Sequence, residues 1–274
     1  MPQNGVFVLS GPNKLSGDQR SAVQFISCLP RTTISIRSNA VSQHMLSLQP
    51  QLDWSSIESE LNERACATTG PLLTPTQCAE LSAAYHTPAL FRSRVVMARH
   101  GFGKGEYQYY NYPLPHLIQT LRDTLYPPLA RIANQWNKAL GLQTEYPTEH
   151  REFLRLCHDA GQTRPTPLLL RYQQDDYNCL HQDLYGELVF PLQVAFLLSE
   201  PDRDFTGGEF VLTEQRPRMQ SRVEVVSLRQ GEGVVFAVNQ RPVRGTRGIY
   251  RVTMRHGVQP PPLRPTLYTG SHLP

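Results

Sequence analysis

The second half of the chain consists of short apolar stretches separated by glycine, proline and aspartate. After the segment TRPTP (163–167) these stretches read LLLRY, YNCLHQDLYG, FPLQVAFLLS, GEFVLTEQ, VEVVSL, GVVFAV and GIYRVTMRHGV. Short strands bounded by turn residues at such spacing are typical of antiparallel sandwiches and barrels. The pattern therefore predicts a β-rich core over residues 166–274.

The preceding region, residues 51–165, shows mainly helical periodicity. Asp53 and Thr74 each stand before a helix-spaced apolar series, in the position of an N-cap. The segments LPHLIQTLRDTLY and PLARIANQWNKALG are amphipathic, and the prolines at 127–128 between them predict two separate helices. A strand hairpin is expected near residues 91–112. Together with the β-rich half, this order predicts one α+β unit.

The remaining segment, residues 1–50, is rich in Ser, Gln, Asn and Arg and predicts a polar, loosely ordered extension. The whole chain is 39% hydrophobic and 18% charged, with a net charge of +4, which permits an anionic partner without requiring one. The cysteines form no CxxC pair, and neither a signal sequence nor a membrane-length apolar run is found. We expect a cytoplasmic protein with no membrane association and no obligate protein partner.

His181 and Asp183 stand two residues apart within the second predicted strand. Side chains at positions i and i+2 of a strand point to the same face, so the imidazole and the carboxylate are expected to project together. Two histidines and one carboxylate form a facial ligand set that leaves three positions of a ferrous ion open. Downstream of Asp183 the chain has only His256 and His272, and His272 lies among the last three residues. His256 is therefore the expected third ligand.

Taken alone, the HxD spacing favours a hydrogen-bonded His–Asp pair without metal, because the motif is short. Two later features favour a metal site. A Gly-Gly turn in DFTGGEFVL (204–212) opens a strand soon after the HxD strand, and a tight turn in RQGEGVVFAV (229–238) opens another before His256.

Longer segments resemble a known family. They read RVVMARHGFGKGEYQYYNYPLP, RPTPLLLRY, DYNCLHQDLYGELVFPLQVAFLLSEP, DFTGGEFVLTEQRPRMQSR and YRVTMRHGV. They resemble a bacterial family of Fe(II)/2-oxoglutarate-dependent dioxygenases commonly described as carrying out oxidative demethylation of damaged DNA. The resemblance spans residues 52–258. It implies a double-stranded β-helix core of the jelly-roll, cupin-like type with supporting N-terminal helices. It also implies Fe(II) held by His181, Asp183 and His256, with 2-oxoglutarate and O2 as cosubstrates for hydroxylation or oxidative demethylation of a C–H bond.

The resemblance further implies an arginine for the distal carboxylate of 2-oxoglutarate, because the guanidinium pairs with a carboxylate through two hydrogen bonds. Arg264, with Thr266, matches the family pattern Arg-x-Ser/Thr, and a solvent-exposed tail arginine is the alternative. Tyr172 is a second candidate for contacting the cosubstrate, or else a core tyrosine. The tail RPTLYTGSHLP departs from the family, whose last strand continues as a Thr-Leu-Gly run ending in Phe-His-Asp. A catalytically silent ligand-binding or partner-binding module therefore stays open as an alternative function.

Basic and aromatic residues are interleaved over positions 92–112. Cations bind phosphates and aromatic rings stack on bases, so the stretch predicts contact with a nucleic-acid substrate. The residues expected to make that contact are Arg94, Arg99, Lys104, Tyr107 and Tyr109. A half-buried strand pair with solvated cations explains the same residues. A protein side chain or a small metabolite is the alternative substrate.

Overall fold

The computed structural model describes residues 4–9, 52–184 and 186–259, which form four α-helices and thirteen β-strands. The helices are α1 (Trp54–Arg64), α2 (Pro75–Ala84), α3 (His116–Ala139) and α4 (His150–Asp159). The strands are β1 (Asn4–Leu9), β2 (Cys66–Pro71), β3 (Phe91–Val96), β4 (Gly103–Lys104), β5 (Glu106–Tyr110), β6 (Leu168–Tyr172), β7 (Tyr177–His181), β8 (Leu192–Leu197), β9 (Phe210–Gln215), β10 (Arg222–Val226), β11 (Glu232–Ala237), β12 (Gln240–Gly245) and β13 (Gly248–Val258).

The strands form two antiparallel sheets. One sheet has seven strands in the order β2-β11-β8-β1-β6-β5-β3. The other has six strands, in the order β10-β9-β13-β7-β4 with β12 paired to β13. From β6 onward the chain passes back and forth between the sheets: β6, β8 and β11 belong to the seven-stranded sheet, whereas β7, the hairpin β9–β10 and the hairpin β12–β13 belong to the six-stranded sheet. The predicted α+β class, with helices beside antiparallel sheets, is confirmed.

The N-caps that begin the first two helices are formed as predicted. Asp53 Oδ1 accepts hydrogen bonds from the backbone N–H groups of Ser55 and Ser56, each at 3.0 Å. The Thr74 hydroxyl oxygen accepts from the backbone N–H of Gln77 at 3.2 Å, and Gln77 Oε1 accepts from the backbone N–H of Thr74 at 2.9 Å. This reciprocal capping box satisfies two N–H groups that the helix itself leaves unpaired.

Helix α3 differs from the prediction of two helices, because it runs without a break through Pro127 and Pro128. Each proline removes one helical hydrogen bond and costs about 3 kcal/mol in a helix interior. Packing on both sides of the prolines opposes that cost, since the helix buries apolar side chains before and after them, among them Leu121, Leu125, Ile132 and Trp136. No helix within the described ranges has the length and apolar character needed to cross a membrane.

Strand β1 differs from the expectation of a loosely ordered extension over residues 1–50. It lies inside the seven-stranded sheet, where Val6 is opposite Leu170 of β6 and opposite Leu197 of β8. The stretch NGVFVL carries the β-branched and aromatic residues that favour strands, and ladder hydrogen bonds on both edges satisfy its backbone. Residues 1–3 and 10–50, the rest of the predicted extension, lie outside the described residues.

Candidate metal centre

A cavity of about 450 Å³ lies between the two sheets. The seven-stranded sheet lines it with side chains from β5 and β6, which are Tyr107, Tyr109, Leu168, Leu170 and Tyr172. The six-stranded sheet lines it with β7, β9 and β13, including His181, Phe210 and His256. The cavity is therefore mostly apolar and aromatic, with a small number of ionisable groups at one wall.

The three predicted ligands converge at that wall. Strand β7 ends at His181, so Asp183 follows the strand rather than sharing its face, and His256 lies directly opposite His181 in the β7–β13 pair. Asp183 Oδ1 is 3.5 Å from His181 Nε2, and Asp183 Oδ2 is 3.4 Å from His256 Nε2. One ligand atom from each residue lies within 4.8 Å of the others. Strand pairing thus brings together residues that are far apart in the sequence.

Gln182, the residue between His181 and Asp183, forms hydrogen bonds that link this segment to the strand of His256. Gln182 Nε2 donates to Asn239 Oδ1 and to the backbone carbonyl of Met254, both at 2.7 Å. Met254 lies on β13, two residues before His256. The loop that carries Asp183 is therefore tied to the strand that carries His256.

Gly257 permits the close approach of β13 to β7. A Cβ atom at this position would lie 2.6 Å from the backbone carbonyl oxygen of Asn178. The register of the two strands shifts between His256 and Val258, so the strand is irregular at the ligand itself. Irregularities of this kind re-aim a side chain, and here His256 points into the cavity.

The hydrogen bonding of the imidazoles fits a bound cation. His181 Nδ1 lies 2.8 Å from the backbone carbonyl of Cys179 and donates to it, so Nε2 of the neutral ring presents a lone pair to Asp183. His256 Nδ1 is buried and has no hydrogen-bond partner among the described residues, so its contact with the cluster is through Nε2. Two imidazole nitrogens and a carboxylate directed at one another, at separations longer than a good hydrogen bond, make a donor set suited to a divalent metal ion.

Burial and charge act in opposite directions on these groups. Burial lowers the pKa of His256 and outweighs the attraction of Asp183, because the side chain is only 7% exposed. Burial also opposes protonation of His181, which is 33% exposed, but the Asp183 carboxylate prevails and raises the pKa of that imidazole. Burial would raise the pKa of Asp183, whereas hydrogen bonds and charge from both imidazoles hold it well below the usual range. An ionised carboxylate and a neutral His256 are the states that metal ligation requires.

Of the three residues predicted to contact 2-oxoglutarate, the structure describes Tyr172. Tyr172 lines the cavity, and its hydroxyl is buried near the Asn178 side chain without making a hydrogen bond of normal geometry to any described residue. Burial raises the pKa of Tyr172, so the hydroxyl is a neutral donor. A buried donor without a partner in a cavity wall is available to a ligand. Arg264 and Thr266 lie outside the described residues.

The residues predicted to contact a nucleic acid are divided between two faces. Tyr107 and Tyr109 line the cavity. Arg94 lies on the other face of the seven-stranded sheet, opposite Gln108, and forms an ion pair with Glu106. The other two predicted contacts, Arg99 and Lys104, are exposed at the segment that joins β3 to β5.

Phe102 is a cavity residue that the sequence analysis did not identify. It lies in GFGKG, where β4 pairs with β7, and its backbone carbonyl accepts from the N–H of Cys179 at 2.9 Å. Its side chain is 45% exposed and stacks on His100, with ring centroids 5.3 Å apart and an interplanar angle of 24°. The sequence signal that could have identified Phe102 is an aromatic residue between two glycines and close to the cations Arg99 and Lys104.

The fold and the cluster of ligands agree with a match to known proteins. Residues 105–262 match a family model of oxygenases, and the match covers more than half of the chain. The chain therefore belongs to the family described as "Oxygenase, catalysing oxidative methylation of damaged DNA".

Two curated relatives come from strains of Mycobacterium tuberculosis, the uncharacterized proteins MT2286 and Rv2227. Each is 52% identical to this chain over 146 residues. The aligned segment is 53% of this chain and 63% of each relative, so the match spans less than two thirds of the relatives' length.

Two solved structures show a distant likeness. A prolyl-4-hydroxylase from Pseudomonas putida is 12% identical with a TM-score of 0.41, covering 75% of this chain and 95% of that one. An oxidoreductase of the 2OG-Fe(II) oxygenase family from Burkholderia pseudomallei is 15% identical with a TM-score of 0.39, covering 75% of this chain and 88% of that one. Neither likeness is close enough to support an argument about this chain.

Proposed function

We propose that the protein is an Fe(II)- and 2-oxoglutarate-dependent dioxygenase that hydroxylates or oxidatively demethylates a C–H bond. The observation that carries the proposal is the convergence of His181, Asp183 and His256 at one wall of an otherwise apolar cavity. Membership of an oxygenase family supports it. The two sheets would then be the halves of a double-stranded β-helix of the jelly-roll, cupin-like type. Residues 166–274 would be its catalytic core, and residues 51–165 its mainly helical support.

In this function His181, Asp183 and His256 would hold Fe(II). When bound, the iron supplies the oxidation in which O2 and 2-oxoglutarate yield succinate, CO2 and one oxygen atom for the substrate. Tyr172 donates its hydroxyl hydrogen to the cosubstrate, because that hydroxyl has no partner of normal geometry among the described residues. The protein's role is to orient the reactants and to exclude competing reactions.

The apolar side chains of the cavity keep water from the reacting groups. Leu168, Leu170 and Phe210 lie on facing sheets and enclose the space beside the ligands. A site lined in this way strengthens the electrostatic contacts inside it and suppresses side reactions with solvent. A catalytically silent module, the alternative from a different class, has no need for three ligand atoms at one point.

For the substrate we propose an alkylated base in a nucleic acid, from which a methyl group is removed by oxidation. The family description names damaged DNA. At the rim of the cavity, Phe102 presents an exposed ring stacked on His100, with Arg99 and Lys104 exposed on the same segment. Rings stack on bases and cations bind phosphates. A protein side chain or a small metabolite is the alternative substrate.

Titration with Fe(II) and then 2-oxoglutarate without air, followed by succinate release in air, tests the reaction. We expect binding and succinate release from the natural protein and neither from Asp183→Ala. Asp176→Ala is a matched control, because Asp176 accepts a hydrogen bond from the backbone of Gln173 at an exposed turn. It should behave as the natural protein does. Iron binding without succinate release, across varied substrates, would contradict the proposal.

Fluorescence anisotropy with a methylated single-stranded oligonucleotide tests the substrate class. Phe102→Ala should weaken binding by about 10-fold, because one base–aromatic stack is worth about 1–3 kcal/mol. Replacing Arg99 and Lys104 by Gln should reduce the dependence of binding on salt. Arg94→Gln is the control, since Arg94 lies on the other face of the sheet, and should leave binding unchanged. Binding that none of these changes affects would favour the alternative substrates.

A further inference from the structure

The described lining of the cavity contains no arginine and no lysine. Its polar side chains include the three metal ligands and the tyrosines of β5 and β6. A diacid bound there has one carboxylate near the metal ligands and a second one farther away. That second carboxylate needs a cation, because an unpaired charge is poorly tolerated away from water.

The strands that flank the cavity in the seven-stranded sheet have no free edge. β6 pairs with β1 and β5, and β8 pairs with β1 and β11. These two strands reach the cavity through Leu170 and Ala195. Described strands therefore occupy both edges of β6 and of β8. The other strands of this sheet remain as sources of a cation for the cavity.

Arg92 of β3 contacts a residue of the cavity wall. The register of β3 against β5 shifts between Phe91 and Ser93, so Arg92 is the extra residue of a bulge. Its guanidinium carbon is 4.3 Å from the centre of the ring of Tyr109, a cavity residue. Nε donates to the carbonyl of Pro165 at 3.2 Å, whereas Nη2 is buried and has no hydrogen-bond partner among the described residues.

Two tyrosine rings of β5 lie beside Arg92 in the cavity wall. The rings of Tyr107 and Tyr109 pack edge to face with centroids 5.4 Å apart. Tyr109 contacts Arg92, and both tyrosines line the cavity that holds the ligand cluster. The two tyrosines are on one face of β5 and about 7 Å apart along the strand, which is comparable to the length of an extended five-carbon diacid.

We propose that Arg92, rather than Arg264, pairs with the distal carboxylate of 2-oxoglutarate. The assignment rests on the proposed function, since it takes that cosubstrate as the ligand of the cavity. Leu168 and Leu170, opposite Tyr109 and Tyr107 in the β5–β6 pair, then contact the methylene carbons between the two ends. The unpartnered Nη2 gives the guanidinium a hydrogen bond to donate to the carboxylate.

Calorimetric titration of the Mn(II)-loaded protein with two oxo acids tests the assignment without turnover. One is 2-oxoglutarate and the other is 2-oxopentanoate, which has the same chain without the distal carboxylate. The natural protein should prefer 2-oxoglutarate by about 10- to 100-fold, the range for a hydrogen bond to a charged group. Arg92→Gln should remove the preference and leave 2-oxopentanoate binding unchanged. Arg92→Lys should keep part of the preference, because lysine keeps the positive charge but lacks the paired N–H donors of the guanidinium.

Arg264→Gln and Arg94→Gln are the matched controls, and both should keep the natural preference. Loss of the preference in Arg264→Gln would overturn the assignment to Arg92 while leaving the proposed function standing. If Arg92→Gln and Arg92→Lys weaken the binding of both oxo acids by the same factor, the assignment to Arg92 is also overturned, because Arg92 then has a structural role. A natural protein that binds Mn(II) but neither oxo acid would overturn the proposed function itself.

Discussion

Two clusters of ionisable side chains lie on the six-stranded sheet and differ in how their charges are matched. The ligand cluster consists of His181, Asp183 and His256, and the ion-pair cluster consists of Glu214, Arg216 and Arg241. Both place a carboxylate where little water reaches it, since Asp183 is 15% exposed and Glu214 is 3% exposed.

In the ion-pair cluster each carboxylate oxygen has a donor. Glu214 Oε1 accepts from Arg216 Nε at 2.7 Å, and Oε2 accepts from Arg241. Arg241 also donates to the backbone carbonyls of Asn62 and Glu63, at 2.7 and 3.1 Å, in the last turn of α1. Those carbonyls have no partner within the helix, so the arginine joins the helix to the sheet.

In the ligand cluster the Asp183 oxygens face imidazole Nε2 atoms at 3.4 and 3.5 Å, which is longer than a good hydrogen bond. In the ion-pair cluster each oxygen of Glu214 is matched by its own arginine. Burial of charge alone therefore does not identify a functional site. The informative feature is a set of convergent ligand atoms that lack close partners of their own.

The largest effect is expected when the ligand cluster loses its carboxylate. Asp183→Asn should weaken Mn(II) binding by more than about 100-fold, since groups that only orient ligands are worth 10- to 100-fold. The metal-free protein should change in unfolding free energy by less than about 1 kcal/mol at pH 8, because the contacts of Asp183 with the two imidazoles, at 3.5 and 3.4 Å, are longer than a good hydrogen bond. Calorimetry and denaturant unfolding measure the two quantities. A loss of several kcal/mol in the free energy of unfolding would show that the ligand cluster stabilises the fold as the ion-pair cluster does, and would contradict this prediction.

The opposite result is expected in the ion-pair cluster. Arg241→Met should lower the free energy of unfolding by about 3–5 kcal/mol, because it leaves a buried carboxylate and two carbonyls short of a donor. The double variant Arg241→Met/Glu214→Leu should recover most of that loss. Urea unfolding measures both, and Mn(II) affinity of the folded variants should equal that of the natural protein. Weakened Mn(II) binding would show that the two clusters are coupled.

A methyl group at Gly257 should affect both stability and metal binding. Gly257→Ala places a Cβ against the backbone of Asn178 on β7 and should cost about 1–3 kcal/mol, the range for overpacking. Because β7 also carries His181, Mn(II) affinity should fall as well. Gly245→Ala is the control in the same sheet, since the closest contact of its Cβ is the movable ring of Tyr250, and the backbone oxygen of Gly248 lies at an ordinary 3.6 Å. Equal metal affinity in the two variants would refute the role given to Gly257.

Removal of the side chain that ties the ligand loop to β13 should have a smaller effect. Gln182→Ala should weaken Mn(II) binding by about 10-fold, as expected for a group that orients a ligand. It should lower stability by about 1 kcal/mol. Gln230→Ala loses a comparable hydrogen bond, to the carbonyl of Leu198 at 2.9 Å, away from the cluster. That control should lose stability but keep metal affinity, and identical behaviour of the two variants would count against positioning by Gln182.

The smallest effect concerns acid stability. Burial would raise the pKa of Glu214, but hydrogen bonds and charge from Arg216 and Arg241 lower it below its ordinary value. The folded-state pKa of Glu214 is therefore below the unfolded value of about 4.3. The stabilisation that its ionised carboxylate contributes is present above the unfolded pKa and is lost as the pH falls through the lower, folded-state pKa. Glu214→Gln should therefore make the fall in stability between pH 5 and pH 3 shallower. Unfolding curves across that range measure the slope, and parallel slopes would show that Glu214 is not responsible.

The sequence was sufficient for features that depend on neighbouring residues. The caps at Asp53 and Thr74 need only a side chain and the next turn of helix, and both are formed. The pairing of His256 with the HxD motif came from elimination among the remaining histidines. The structure brings these residues together through the register of β7 and β13, which no local pattern contains.

Other features depended on contacts that a sequence pattern does not record. Pro127 and Pro128 signal a helix break, and packing on both sides overrides it. The bulge at Arg92 decides which arginine of β3 lies over Tyr109, because a single extra residue reverses the alternation of faces. Strand β12 contains Pro242, which weakens a strand pattern, yet it pairs with β13 at the edge of the six-stranded sheet.

The position of β1 sets an order for assembly on the ribosome. Val6 is synthesised well before its partners Leu170 and Leu197. The apolar stretch NGVFVL stays unpaired until β6 and β8 have been made, and both edges of β1 are paired only after β8 has emerged. Such distant pairing slows folding and prolongs the exposure of a strand that can pair wrongly. The yield of folded protein should therefore depend on how fast synthesis reaches β8.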